Sequence, residues 1–302
     1  METTDARNRL LAALVLSASV VAGAQDQAGI QRTIFITATN PAGVYVGDLR
    51  PSDVTVFEGG TAREVRHVEP STLRLKICLG IDEGLPPDPV FRRAVGRFAQ
   101  QMQDSGDLAL YLLGQGNSKL LDYTRDSARV SAALTGLPLR GQGDGNLVES
   151  LFELAKSQRA IEGRRALVVL ATETQQRSTV TAGGVLDELR TGGSVLYAVT
   201  VAGPAGPTEI PTPDMTHLIN PEEIERDRTL NEGTRQSGGL RLTVLSLEGF
   251  PAALDRVRNE LLNQYAVTYV VPSGTRSDGR VRVTTARRGI VLRAPTQVSP
   301  LR

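Results

Sequence analysis

Three short stretches place acids, hydroxyls and amides beside turn residues: ICLGIDEGLPPD (77–88), GQGDGNLVES (141–150) and VVLATETQQ (168–176). Among their oxygen donors, Asp82, Glu83, Asp144 and Glu173 could gather at one rim and hold a divalent cation in an irregular geometry. Together with Asn146, Thr172 and Gln175, the same residues could instead form a hydrogen-bonding rim for a partner surface. For Asp82 alone the plainest reading is a cap or turn acid where a strand passes into a helix. The acidic groups on such loops are otherwise simply solvated.

Other chemistry finds little support. The two histidines, His67 in AREVRHVEP and His217 in MTHLIN, have no metal-ligand spacing to another His or to Cys. No Gly-x-Ser-x-Gly elbow exists for a serine hydrolase. LGQGNSKL follows an apolar run but lacks the third glycine of a dinucleotide fingerprint, and no Gly-Lys-Ser/Thr phosphate loop is present. The single cysteine, Cys78 in LRLKICLGI, allows no intrachain disulfide and reads as a buried, inert core residue. The residues therefore predict a non-enzyme without a cofactor.

Bulk properties narrow the partners. The 302 residues carry 34 Lys+Arg against 33 Asp+Glu, and a net charge of +1 gives no reason to expect nucleic acid. Pairs such as Arg92-Arg93, Arg164-Arg165 and Arg287-Arg288 read as solvated faces. Aromatics at 4%, with no Trp, argue against stacking platforms for bases or sugars. At the start, Arg7 and Arg9 precede LLAALVLSASVVAGA, which ends in the small-residue pattern Ala22-Gly23-Ala24. This is the anatomy of a secretory signal peptide over 1–24, with a retained membrane anchor as the competing reading. Cleavage would leave an exported chain, periplasmic or extracellular, with no membrane insertion.

These residues must be positioned by the elements around them. Residues 25–70 are β-branched and turn-rich, with strands expected at 33–39, 54–58 and 64–68. From 71 to 263 the pattern alternates. Strands are expected at 73–81, 108–113, 119–123, 166–171, 195–201 and 240–245. Helical spacing fills 90–103, the stretch capped by Asp126, 146–159, a short piece around 185–189, the run opening at Asn220-Pro221, and 250–261. A Pro/Gly-rich connection, AGPAGPTEIPTPD, precedes Pro221. Strands alternating with helices predict an α/β, doubly wound, largely parallel sheet. The tail, 264–302, returns to strands, and with 25–70 it is expected to form a small β-sandwich into which the α/β domain is inserted.

The segments SGGLRLTVLSLEGFPAALDRVRNELLNQYAVTYVVP and ALVVLATET resemble those of von Willebrand factor type A (vWA) domains in secreted bacterial proteins, and DLRPSDVTVFEGGTAREV resembles the small β segment that precedes vWA in that group. The resemblance implies a Rossmann-like sheet covered by helices. It also implies a divalent-metal adhesion site at the carboxyl ends of the strands, built from Asp-x-Ser-x-Ser, a Thr and a further Asp. This chain matches only the first ligand, Asp82. Gly84 and Pro86 stand at the serine positions, Gly145 (or Asn146, one residue on) at the Thr, and Thr172 at the last Asp. A hydrogen and a pyrrolidine ring supply no oxygen donors, so the family's metal site is expected to be degenerate. The resulting expectation is a metal-free, vWA-like module that binds a protein through its rim. An irregular acidic metal site and a purely structural envelope role are the alternatives.

Overall fold

The computed structural model describes residues 29–141, 146–173, 178–202 and 221–301. The segment expected to be a signal peptide and the Pro/Gly-rich connection lie outside the described residues, as do Asp144, Gly145, Gln175 and His217. No described helix is long and apolar enough to cross a membrane.

The central sheet is built from β4 (Leu75–Asp82), β5 (Gly106–Leu113), β6 (Ser118–Thr124), β7 (Arg164–Thr172), β8 (Val195–Val201) and β9 (Leu240–Val244). Its spatial order is β6-β5-β4-β7-β8-β9. All neighbours run parallel except β6, which pairs antiparallel with β5. The side chains explain why these strands are central. Ile77, Leu79 and Ile81 face one core while Cys78 faces the other, and β5, β7 and β8 repeat that alternation. Burial on both faces turns such strands into continuous apolar runs.

Helices α1 (Pro89–Met102), α2 (Ser127–Thr135) and α6 (Phe250–Leu262) cover the first face. Helices α3 (Leu147–Ser157), α4 (Ala182–Gly192) and α5 (Pro221–Ser237) cover the second. Asp88 starts α1 by accepting from the Val90 and Phe91 amides, with Pro89 in the first turn. Phe91 then packs edge-on against Phe250 of α6, ring centroids 5.0 Å apart. Asp126 caps α2 in the same way, as its sequence position predicts.

The second sheet corrects an expectation. Its strands are β1 (Gly29–Thr39), β2 (Val54–Glu58), β3 (Thr61–Pro70), β10 (Gln264–Pro272), β11 (Val281–Thr285) and β12 (Val291–Arg293), in the order β11-β2-β3-β10-β1-β12. The terminal segments do not stack as two layers of a sandwich. They interleave as neighbours in one antiparallel sheet, β1 pairing with β10 from Gly29↔Pro272 to Thr37↔Gln264. Bridges Ser277↔Leu301 and Arg280↔Gln297 draw the tail after β12 towards the start of β11, curling the sheet nearly into a barrel. Ile34, Ile36, Val56, Val267 and Tyr269 fill the interior. The curl puts its two walls face to face without a second sheet.

Where the two sheets meet, buried polar groups do the joining. Arg164, at the start of β7, donates to the Leu261 carbonyl at 2.7 Å and to Gln264 Oε1, while Gln264 Nε2 donates to Tyr197 Oη at 3.1 Å. The Arg164 guanidinium also lies 4.8 Å over the Phe35 ring of β1. Beside it, Glu260 of α6 accepts from Thr37 of β1 at 3.0 Å and from Arg293 of β12.

Burial raises two acids of this core: the Cys78 thiol and the Tyr197 phenol are each pushed up to about 12. Below about pH 8 both groups stay almost wholly protonated in either state. Above that the unfolded chain releases these protons first, the thiol before the phenol, so stability should fall as pH rises from about 8 through about 12. Each group contributes up to about 1.4 kcal/mol per pH unit in that window. Denaturant titrations across pH 8–11 measure it. A thiol reagent at pH 8 should label Cys78 only after unfolding.

Candidate functional site

Viewed by topology, the parallel sheet has one place where a ligand crevice is expected. The chain moves outward from β4 to β5 and β6, then returns to the other side of β4 as β7. Strands on either side of such a switch send their following loops in opposite directions, opening a crevice beyond their carboxyl ends. Asp82 ends β4 and Thr172 ends β7, so both line that crevice.

The crevice is closed by Asp82 itself. Its Oδ2 accepts from the Thr172 amide at 3.0 Å and from Thr172 Oγ1 at 2.8 Å, while Oδ1 accepts from the Gly84 amide at 2.9 Å. Asp82 is 3% exposed and has no ion pair among the described residues. A buried carboxylate without a cation needs such donors to offset its lost hydration. Gly84 fits over the pair closely. A Cβ there would stand 3.2 Å from Asp82 Oδ1 and 3.3 Å from Thr172 Oγ1, so a larger side chain would crowd the clasp. Asp82 is thus the turn acid of a strand-to-helix junction, and also a tie between two strands.

The other rim residues diverge. Glu83 is tied to the second loop: its amide donates to Leu113, its carbonyl accepts from the Arg140 amide at 2.8 Å, and its carboxylate lies 3.7 Å from the Arg140 guanidinium. Glu173 turns towards β8 and β9, where its Oε1 accepts from Thr200 at 2.8 Å and from Arg241 at 3.1 Å. Arg241 also reaches Asp227 of α5 at 3.1 Å. Asn146 stands at the start of α3, where its amide donates to Glu149 instead of capping the helix. Its Oδ1 is buried with no partner among the described residues. The structure therefore joins Asp82 to Thr172 and Glu83 to the second loop, and keeps Glu173 with a cation of its own. No described group of three or more His, Cys, Asp or Glu could hold a metal ion. His67 lies on β3, opposite Thr268 and in the other sheet.

One rim residue escapes sequence reasoning. Leu245, directly after β9, is 91% exposed at the same carboxyl edge. In the string TVLSLEG it looks like one more buried strand residue, because its neighbour Val244 packs on the core.

No family model matches the chain. No curated protein matches it either. It is similar to several solved structures. One is an aerotolerance-related membrane protein from Bacteroides fragilis, at 16% identity over 62% of this chain and 99% of that one, with a TM-score of 0.42. Another is the SpRpn10 VWA domain, at 12% identity over 61% and 95%, TM-score 0.41. A third is proximal thread matrix protein 1 of the mussel byssus, with a zinc-occupied MIDAS motif, at 12% identity over 66% and 48%, TM-score 0.46. The chain spans about half the length of that mussel protein.

Asp82→Ala should cost about 2–4 kcal/mol of folding stability, because two backbone amides and a hydroxyl lose their acceptor together. Thr172→Val should cost about 1 kcal/mol. Denaturant unfolding of the purified chain measures both. Adding magnesium, calcium or manganese should leave the melting temperature of the unsubstituted chain unchanged.

Proposed function

We propose that the chain is an exported, non-enzymatic vWA-like module that binds a protein partner without a metal, through loops at the carboxyl edge of its parallel sheet. The observation that carries this reading is the use of Asp82. Both of its oxygens serve the protein's own backbone and Thr172, which leaves the one retained position of the vWA metal pattern engaged internally. A magnesium ion needs about six oxygen donors in near-octahedral array. Here the nearest acids, Glu83 and Glu173, sit with Arg140 and Arg241.

Recognition then rests on shape and hydrogen bonds around a few anchors. Leu245, after β9, offers an exposed apolar anchor, and Arg140 with Glu83, after β4, offers a charged pair elsewhere on the same edge. Export rests on the basic, apolar and small-residue order of residues 1–24. The non-enzymatic reading rests on the sequence, which has no Gly-x-Ser-x-Gly elbow and no histidine at metal-ligand spacing to another His or Cys.

Photo-crosslinking in the native envelope tests the reading. A crosslinking side chain at Leu245 or Arg140 should give one defined protein adduct, equally with and without chelator. The same group at Arg74, before β4 at the opposite edge, should give none. Leu245→Ser should weaken capture by about tenfold or more, in the range of an interface anchor. Adducts that vanish with chelator would replace this reading by metal-dependent adhesion. Rim positions that give no adduct would leave a structural role.

A further inference from the structure

At the opposite edge of the parallel sheet, where it meets β1, lies a cavity of about 410 Å³. Its walls come from the start of β7, the turn between α4 and β8, the end of α5, β1 and the tail at 295–299. Four arginines line it, Arg32, Arg164, Arg165 and Arg190, and no acidic residue does. Two of the four are answered elsewhere: Arg32 by buried Glu58 at 3.0 Å and Arg190 by Asp187 at 2.8 Å. The other two have only neutral partners among the described residues. Arg164 donates to Ser71, Leu261 and Gln264, and Arg165 to the Gln158 and Ile161 carbonyls.

Unused hydrogen-bonding groups gather in the same wall. Ser194 is 2% exposed and its Oγ has no partner, and the Nε atoms of Arg165 and Arg190 are likewise buried without one. Gly193, in the left-handed region at φ +62°, keeps the wall open. A Cβ there would stand 3.4 Å from Arg165 Nη2. Phe35, Ile34, Leu189 and Val298 give the cavity an apolar side, and neutral Gln31, Thr33, Gln236 and Gln297 also line it. Uncompensated cations and orphaned donors beside an apolar wall are costly in an empty protein. They suit one ligand chemistry: a negatively charged head on a compact apolar body. A volume of this size suits a small molecule.

We propose that this cavity binds a small organic anion, with its carboxylate or phosphate head on Arg165, Arg190 and Ser194 and its apolar body against Phe35 and Leu189. A second, broader hollow of about 730 Å³ adjoins it at Gln297 and carries Arg235, Arg276, Arg280 and Arg282. Asp278, which pairs with Arg280, is its one acidic lining residue. That basic approach steers anions towards the cavity. Burial lowers Arg164 to about 10 and also lowers Arg165, and both remain cationic at neutral pH.

Titration calorimetry and thermal shift on the purified chain, at fixed chloride concentration, test this. The probes are hexanoate, hexyl phosphate, inorganic phosphate and neutral hexanamide. Hexanoate or hexyl phosphate should bind one per chain and raise the melting temperature, and hexanamide should do neither. The stronger of the two identifies the head group, and inorganic phosphate should bind more weakly than hexyl phosphate. Arg190→Glu, at a partly exposed helix position, and Arg165→Gln should each weaken binding by about tenfold or more. If Arg165→Gln fails to fold, Arg190→Glu with an unchanged ligand-free melting temperature carries the test. Arg282→Gln in the open hollow should change affinity by less than about threefold. The proposal falls if no organic anion binds below about 10 mM. It falls equally if hexanamide binds as well as hexanoate, if Arg190→Glu leaves binding intact, or if Arg282→Gln abolishes it.

Discussion

A parallel sheet that reverses its winding has to open at the reversal, and here one carboxylate holds the opening shut. Asp82 reaches from the end of β4 to the end of β7 and takes both the amide and the hydroxyl of Thr172. The interaction is strong because a charged acceptor in a buried setting meets well-placed donors. It also sets the character of the edge above it. The first loop is folded back on Gly84, the second loop is pinned to Glu83 and Leu85, and Glu173 is left facing β8 and β9. The carboxylate is a piece of the frame.

The second dependence is the seam between the sheets. Arg164, Gln264 and Tyr197 form one buried polar chain, and Thr37, Glu260 and Arg293 another. Such groups carry a desolvation cost and return it only when fully paired, which makes the relative position of the sheets specific. The seam also explains why cations collect there. Arg164 is held by neutral oxygens from α6 and β10, so its charge is left to act on whatever lies beside it.

Much of this frame is legible in the chain. β4, β5, β7 and β8 read as strands because burial on both sides leaves unbroken runs such as ALVVLA, and α1 reads as a helix because its apolar stripe follows Asp88-Pro89. The strand-to-helix turn at Asp82 is legible for the same reason. Its bond to Thr172, 90 residues away, is not, since nothing local marks it. The arrangement of the second sheet is also out of reach. Alternation tells which side chains of β1 and β10 face inward, but not whether the two strands are neighbours or lie across a core from each other. Leu245 is hidden in the opposite way, an exposed residue in a string that reads as buried. The arginine cavity draws on residues from β1 to the tail, and its Arg164-Arg165 pair reads in the chain as a solvated face.

The pairing of β3 with β10 bears on how the chain comes together. Pro70 and Tyr265 sit opposite each other, so the whole α/β unit leaves and re-enters the antiparallel sheet at adjacent points. β2 and β3 can form a hairpin as soon as they emerge, but among the described residues β1 pairs along its length with β10 and β12, apart from one bridge from Thr39 to Tyr45. During synthesis, β1 must therefore wait with most of both edges bare until β10 has emerged. A segment in that state is the part of the molecule with most need of a holding chaperone, and its closing step should be the slow one.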